Sequence, residues 1–466
     1  MSASRRVIES HLSDGQAHYG INTGFGALSR VRIDGADLEA LQRNLVRSHA
    51  AGVGEQLKIE VVRALMTVLA SSLVRGKSGV RPIVVETLCR LLNEGVTPVV
   101  PSIGSVGASG DLAPLAHVAL VLIGEGRAMV DGREHAGGEA LAIKGIAPLR
   151  LEAKEGLALV NGTHLMTGSA SLLLEDWDRL MSAAVVAGAM SIDALRGTDA
   201  FLDERAYAAR NQPGAAEVAT RLREALRGSQ IVGSHRENDP RVQDPYSLRC
   251  QAVVLGAAED AACYVKRAVR AELGAVTDNP LVFTEGNPPI VSAGNFHGMP
   301  VALPLDVLAI SLAHAAGISE RRTYLLTAAS DPEAHLSPFL ARRPGLQSGL
   351  MIAQYTAAAC VNELIGLATP ASVANIPTCA GMEDYNSFGP RSAAKAWRGM
   401  ELARTAVAIE LLCAAEGVER HRPLRSGEGV ERAIALIRQH VAPLTDDRPL
   451  SDDIAAISCL IADGAF

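Results

Sequence analysis

Three stretches of this chain, Leu157–Leu174, Leu180–Leu195 and Ser247–Leu273, are rich in alanine and apolar around most of a helical circumference. A helix with one apolar stripe lies on a core. One that is apolar nearly all round is buried on several sides, in a large bundle or an oligomer core. Narrower stripes accompany them. Leu38, Leu41, Leu45 and His49 recur at spacings of three and four, after Asp37 as a candidate N-cap and before Gly52. Val61, Leu65, Val68, Leu69 and Leu73 repeat the pattern up to Gly76. Trp397–Glu416 and Val430–Val441 predict two further helices. Only Thr97–Val100 and Ala128–Val130, short apolar runs in the first third, read as strands. The expected fold is mainly α, an elongated bundle of long helices over residues 163–466. A smaller mixed α+β N-terminal head is expected over residues 1–162.

Composition agrees and removes other classes. Apolar residues are 48 % and aromatics only 3 %, so aliphatic side chains must fill the core, which favours helices over a β-sandwich. A chain this apolar is not disordered. A net charge of −7 with so few aromatics argues against nucleic acid as a partner. The seven cysteines form no C-x-x-C pair, so neither a zinc ribbon nor a redox motif is supported, and no metal is expected. Reduced, mostly buried thiols in a cytoplasmic protein are the expectation. Met1–His11 carries no apolar run, so no signal peptide is read there. The longest uncharged stretches contain Asn, His, Gln and Pro, which makes them poor membrane spans.

Common catalytic motifs fail on their spacing. Gly76-Lys77-Ser78 lacks the earlier P-loop glycine, because position 71 is Ser71. There is no H-E-x-x-H helix, no G-x-G-x-x-G and no G-x-S-x-G elbow. The Gly-Ser-Ser loop signature of fumarase-type lyases is absent too. What remains is a series of polar clusters in Gly- and Pro-rich breaks, where binding and chemistry are usually placed. They are Tyr19-Gly20-Ile21-Asn22-Thr23-Gly24-Phe25-Gly26, Gly104–His117 around Ala108-Ser109-Gly110, Asn161-Gly162-Thr163, Gln243–Arg249, Thr277-Asp278-Asn279-Pro280, Gly294–Gly298 and Met382-Glu383-Asp384-Tyr385.

These seven segments, in this order, resemble the aromatic amino acid ammonia-lyase family, and within it the histidine-specific branch. The resemblance implies a cofactor made from the chain itself and no external one. Ala108-Ser109-Gly110 would cyclise, the Gly110 nitrogen attacking the Ala108 carbonyl. Loss of two waters would leave a 4-methylidene-imidazol-5-one whose methylene derives from Ser109. Glycines at 104, 107 and 110 supply the backbone freedom that such a closure needs. The activity implied is elimination of ammonia from an aromatic L-amino acid. The family also contains phenylalanine and tyrosine lyases and aminomutases, and a helical oligomer that kept the fold without turnover is the non-enzymatic alternative.

The same resemblance assigns roles. Tyr19 corresponds to the base that removes the β-proton, and a phenol needs help to ionise near neutral pH. Arg249 corresponds to the clamp on the substrate carboxylate, a task suited to a guanidinium. Asn161, Gln243 and Tyr246 correspond to residues that hydrogen-bond the prosthetic group and the carboxylate, and Phe296 to a packing residue. Ser48, His49 and Glu383 match the histidine-type side-chain pocket. An imidazole and a carboxylate are reasonable partners for a substrate imidazole. Met382, Tyr385 and Asn386-Ser387-Phe388-Gly389 depart from that branch, and the lead before Tyr19 is shorter than the family norm. A homotetramer whose sites are shared between subunits is implied as well.

Overall fold

The computed structural model describes residues 1–466. Eighteen α-helices stand against seven strands of two to four residues, so the fold is mainly α. The chain packs as two compact units. The first comprises Met1–Leu172, Val265–Asp306 and Pro370–Ala394, and the second Leu173–Tyr264, Val307–Thr369 and Lys395–Phe466.

All strands belong to the first unit. Thr97–Pro98, Arg127–Val130 and Arg133–Ala136 form one antiparallel sheet in that order, with Thr97 opposite Met129. The two runs expected as strands are therefore neighbours. Val53–Gln56 pairs with Pro101–Ile103, and Leu281–Val282 with Ile290–Val291. Helix Leu38–His49 buries Leu38 and Leu45 of its stripe together with Gln42 and Val46, and leaves Leu41 and His49 half-buried. Asp37 precedes it but makes no side-chain capping bond. Buried Gln42 on this helix accepts the Leu157 N–H through Oε1 at 3.2 Å, near the start of helix Glu155–Val160. Met1–His11, without an apolar run, still folds as helix Ser2–His11, and its single Ile8 packs against Ile21, Leu38, Ala153 and Val282.

Two expected helices are each divided. Leu157–Leu174 reads as one apolar helix, yet Glu155–Val160 ends at Asn161 and His164–Ala194 begins beyond Thr163. Gly162 between them has φ +130°, a conformation that no helix contains. Ser247–Leu273 is likewise split at Cys250 into Tyr246–Arg249 and Gln251–Leu273.

Each unit holds a buried ion pair. In the first, Lys154 and Asp278 meet at 2.6 Å with side chains 0 % and 2 % exposed. Asp278 also accepts the Asn279 N–H through Oδ1 at 2.7 Å, within the Asp278-Asn279-Pro280 segment. The second unit contains helices and no named strand. There Arg322 and Glu410, both fully buried, pair through two hydrogen bonds, and Ser191 donates to Glu410 at 2.6 Å. The three residues come from helices His164–Ala194, Met299–Ala328 and Gly389–Glu419. Met299–Ala328 is long and apolar enough to cross a membrane by length and composition, but 61 % of its apolar window is buried inside the protein. It also carries buried Asp306, which accepts the Ser372 N–H at 2.8 Å.

Removing one partner of a buried pair strands the other charge. Arg322→Met is therefore expected to lower unfolding free energy by about 3–5 kcal/mol in a urea titration. Adding Glu410→Leu to that variant should recover most of the loss.

Candidate functional site

The site is organised by two glycines in main-chain contact. Gly110, at φ +77°, bridges Gly162. The Gly162 N–H donates to Ser109 O at 3.2 Å, and Gly162 O accepts from the Asp111 N–H at 2.8 Å. A Cβ on Gly110 would lie 2.1 Å from the Gly162 oxygen, so only glycine fits. The loop is also held at Gly107, where the Phe388 N–H donates to Val106 O at 2.9 Å and Ser387 Oγ to Gly107 O at 3.1 Å.

Asp111 ties this loop to the long helix that follows Gly162. Its Oδ2 accepts the N–H groups of Leu165 and Met166 at 2.8 and 3.2 Å, two donors that a helix start leaves without partners. The carboxyl is fully buried, and that burial pushes its pKa up to about 7 against the pull of the two N–H groups.

A cavity of about 470 Å³ opens beside Ser109 and Asn161, within the range of small-molecule sites (about 300–1,000 Å³). Its polar lining is Tyr19, Asn44, Ser48, His49, Ser109, Asn161 and Glu383, with the thiol of Cys379. Leu28, Val31, Leu41, Leu45, Leu112 and Leu157 make up much of the apolar wall, with Phe25. Ser109 Oγ donates to Glu383 Oε1 at 3.0 Å, and Thr378 Oγ1 donates to Glu383 Oε2 at 2.8 Å. The main chains of Thr378 and Glu383 pair as well, so a short turn presents the carboxylate.

The remaining polar groups have defined states. His49 Nδ1 lies 2.9 Å from Leu45 O, which this network assigns as the protonated nitrogen and leaves Nε2 open. Burial holds the imidazole below its ordinary pKa, with the Glu383 charge opposing, so it is neutral at pH 7. Asn161 is 3 % exposed and its Oδ1 has no partner. A buried acceptor left open on a cavity wall suits a donor on a ligand. The Tyr19 hydroxyl accepts the Gly26 N–H at 3.4 Å. Burial raises the phenol's pKa, the Glu383 charge adds to this, and the Gly26 N–H opposes it.

Tyr19, Ser48, His49, Ser109, Asn161 and Glu383 thus share one cavity, with Ala108 and Gly110 buried on either side of Ser109 in the chain. Phe296 lies half-buried in a turn and does not line it. Gln243, Tyr246 and Arg249 belong to the second unit and are not among the lining residues. There Gln243 and Tyr246 are exposed, and the Arg249 guanidinium stands 4.5 Å over the Tyr246 ring. The spacing of three on helix Tyr246–Arg249 puts both on one face. Among the aromatics of the motif segments, only Tyr19 and Phe25 line the cavity; Phe388 and Tyr385 do not. The departures Met382, Tyr385, Asn386 and Ser387 do not reach it either. Met382 and Tyr385 are exposed, whereas Asn386 donates to Ile376 O and Ser387 braces Gly107.

Cys379 and the aliphatic wall went unread in the sequence. The expectation of mostly buried thiols is corrected: all seven cysteines are free, only Cys413 is buried, and Cys89, Cys263, Cys379 and Cys459 are exposed.

A profile of the family described as aromatic amino acid lyase matches residues 1–439. A histidine ammonia-lyase of Anaeromyxobacter dehalogenans is 50 % identical over 99 % of this chain and 92 % of its own length. The crystal structure of histidine ammonia-lyase from Trypanosoma cruzi superposes with a TM-score of 0.91 at 38 % identity, covering 100 % of this chain and 87 % of that one. Tyrosine aminomutase from Streptomyces globisporus gives 0.92 at 35 % identity, over 99 % and 90 %.

The raised Asp111 pKa has a consequence for stability. The unfolded chain releases this proton near the ordinary value of 3.8 and the folded chain near 7, so the folded state loses stability as pH rises through that window. The melting temperature of Asp111→Asn, relative to the parent protein, should therefore rise between about pH 5 and about pH 8. A difference independent of pH would assign the carboxyl an ordinary pKa.

Proposed function

The chain belongs to the aromatic amino acid lyase family, and from that membership we propose that it is a carbon–nitrogen lyase converting L-histidine to trans-urocanate and ammonia. The observation that supports histidine most directly is the polar set in an otherwise largely aliphatic cavity, neutral His49 facing the same space as Glu383. His49 offers Nε2 as an acceptor, and Glu383 offers a carboxylate for an imidazole N–H. The motif departures from the histidine-type branch lie outside this lining.

The loop residues fit a prosthetic group made from Ala108-Ser109-Gly110. Gly107 and Gly110 both hold positive φ, as a closing ring requires of its flanks, and the unpartnered Asn161 Oδ1 stands in the same cavity as Ser109. Once formed, the methylidene-imidazolone supplies an electrophilic carbon that makes the substrate amine a better leaving group. In the chain before closure, Glu383 orients the Ser109 hydroxyl, the oxygen that must depart as water. Loss of that hydroxyl frees Glu383 Oε1 for the substrate.

Tyr19 takes the β-proton at Oη. Burial and the Glu383 charge keep its phenol protonated at neutral pH, so the first unit alone does not make it a base. A cation has to be brought in, by the substrate ammonium or by another subunit. Exposed Gln243 and Tyr246, with Arg249 stacked on Tyr246, form a polar face of that kind. In a homotetramer this face would complete a neighbouring subunit's cavity. Arg249 would bind the carboxylate there, Gln243 and Tyr246 would hydrogen-bond to carboxylate and ring, and Phe296 would pack nearby.

The purified protein should form urocanate from L-histidine with kcat/KM at least about tenfold above that for cinnamate from L-phenylalanine. Its intact mass should be short by two waters. Ser109→Ala should restore the unmodified mass and abolish turnover, and a β-amino acid product would replace the lyase assignment with an aminomutase.

Tyr19→Phe should lower kcat about 10²–10⁴-fold while changing KM little. Because the ionised phenol is the base, the parent enzyme's kcat/KM should climb with pH as Tyr19 loses its proton, and that limb should vanish in the variant. A profile shared by both proteins would give the proton to another group.

A further inference from the structure

Cys379 stands in the catalytic cavity but has no part in the mechanism above. Its residue is exposed, and it lines the same space as Tyr19, Ser109, Asn161 and Glu383. The turn that presents it is well defined. Thr378 and Glu383 pair at its ends, and Cys379 itself has φ +53°, a left-handed conformation uncommon outside glycine. Sγ accepts the Ala27 N–H at 3.3 Å, and the preceding amide, Gly26 N–H, donates to the Tyr19 hydroxyl. Two adjacent amides of one turn therefore bind the thiol and the candidate base.

Packing decides where anything attached to the sulfur would go. A Cβ on Gly26 would lie 2.4 Å from Sγ, so the side of the thiol facing Gly26 has no room even for a methyl. A substituent is turned away from Gly26, and the cavity that Cys379 lines offers it room. Asn161, 3 % exposed and lining the same space with an unpartnered Oδ1, is an independent sign of a ligand there. The other cysteines lack this setting, since Cys413 is buried and Cys89, Cys250, Cys263, Cys360 and Cys459 line no part of this cavity.

We propose that Cys379 is a thiol-modification site inside the substrate cavity, taking small disulfides and thiosulfonates, and that its modification closes the site. The thiolate attacks one sulfur of the reagent and a new S–S bond forms. The reagent's own sulfur–sulfur bond breaks, its other half leaves as thiolate or sulfinate, and the cysteine proton passes to solvent. An external thiol reverses the reaction. The adduct fills space beside Tyr19 and Glu383 and draws Sγ away from the Ala27 N–H, which loosens the turn that holds Tyr19. The inference rests on the proposed use of this cavity as the substrate site.

The test treats the purified full-length protein with methyl methanethiosulfonate. Labelling is followed by peptide mass at each cysteine and turnover by urocanate absorbance. Loss of turnover should track labelling of Cys379, reach at least about tenfold at full labelling, and reverse with dithiothreitol. Saturating L-histidine should slow labelling at Cys379 but not at Cys89 or Cys459. Cys379→Ser, whose hydroxyl accepts the same N–H but does not react, should keep its own starting rate under the same treatment, whatever that rate is. Full labelling of Cys379 with undiminished turnover, or equal losses in parent and variant, would overturn the proposal. Should the variant not fold, the peptide-resolved protection by L-histidine in the parent protein decides alone. Absence of urocanate from untreated protein would instead reject the histidine reading, and is seen before any thiol reacts.

Discussion

Gly110 and Gly162 touch through their main chains, and the cavity depends on that contact. It sets Ser109 and Asn161, fifty-two positions apart in sequence, on the wall of one space. It interrupts an otherwise continuous apolar helix, because Gly162 must leave helical geometry to meet Gly110. It also brings Asp111 over the new helix start, where the carboxylate satisfies two open N–H groups. No side chain fits between the two glycines. The loop is thus held by backbone on one face and by Ser387 and Phe388 on the other.

Electrostatics in the cavity follow from how few polar groups an aliphatic wall admits. His49 is kept neutral by burial, and Tyr19 is kept protonated by burial and by Glu383. Under the proposed reading such a cavity suits an imidazole, while its candidate base is held protonated. Ionising Tyr19 requires positive charge that the first unit's lining does not contain. In the second unit the half-buried Arg249 carries such a charge, stacked on the exposed Tyr246 ring and donating to Asp244 O at 3.0 Å.

Much of the fold was legible from periodicity. The stripe from Val61 to Leu73 became helix Ile59–Val74, and Val430–Val441 became Glu428–His440. Thr97 and Ala128–Val130 became paired strands. Hydropathy could not show the break after Val160, since Leu157–Leu174 stays apolar across it and the cause is a contact from a distant loop. It also misjudged the thiols. Cysteine is usually buried, but Cys379 is held outward by a turn whose ends pair with each other and whose sulfur meets the Gly26–Ala27 turn.

The sequence by itself determined the helical class, the family, and the residue types gathered in seven polar breaks, because these follow from local pattern and chemistry. Only the tertiary structure decided which of those residues share a cavity. Ser48, His49 and Glu383 came together with Tyr19, Ser109 and Asn161, whereas Met382, Tyr385 and Phe388, neighbours of Glu383 in sequence, stayed outside. Membership of a cavity depends on which way each side chain leaves its turn. That direction is set by long-range main-chain contacts such as Gly110 with Gly162, for which a linear pattern of residue types carries no signal.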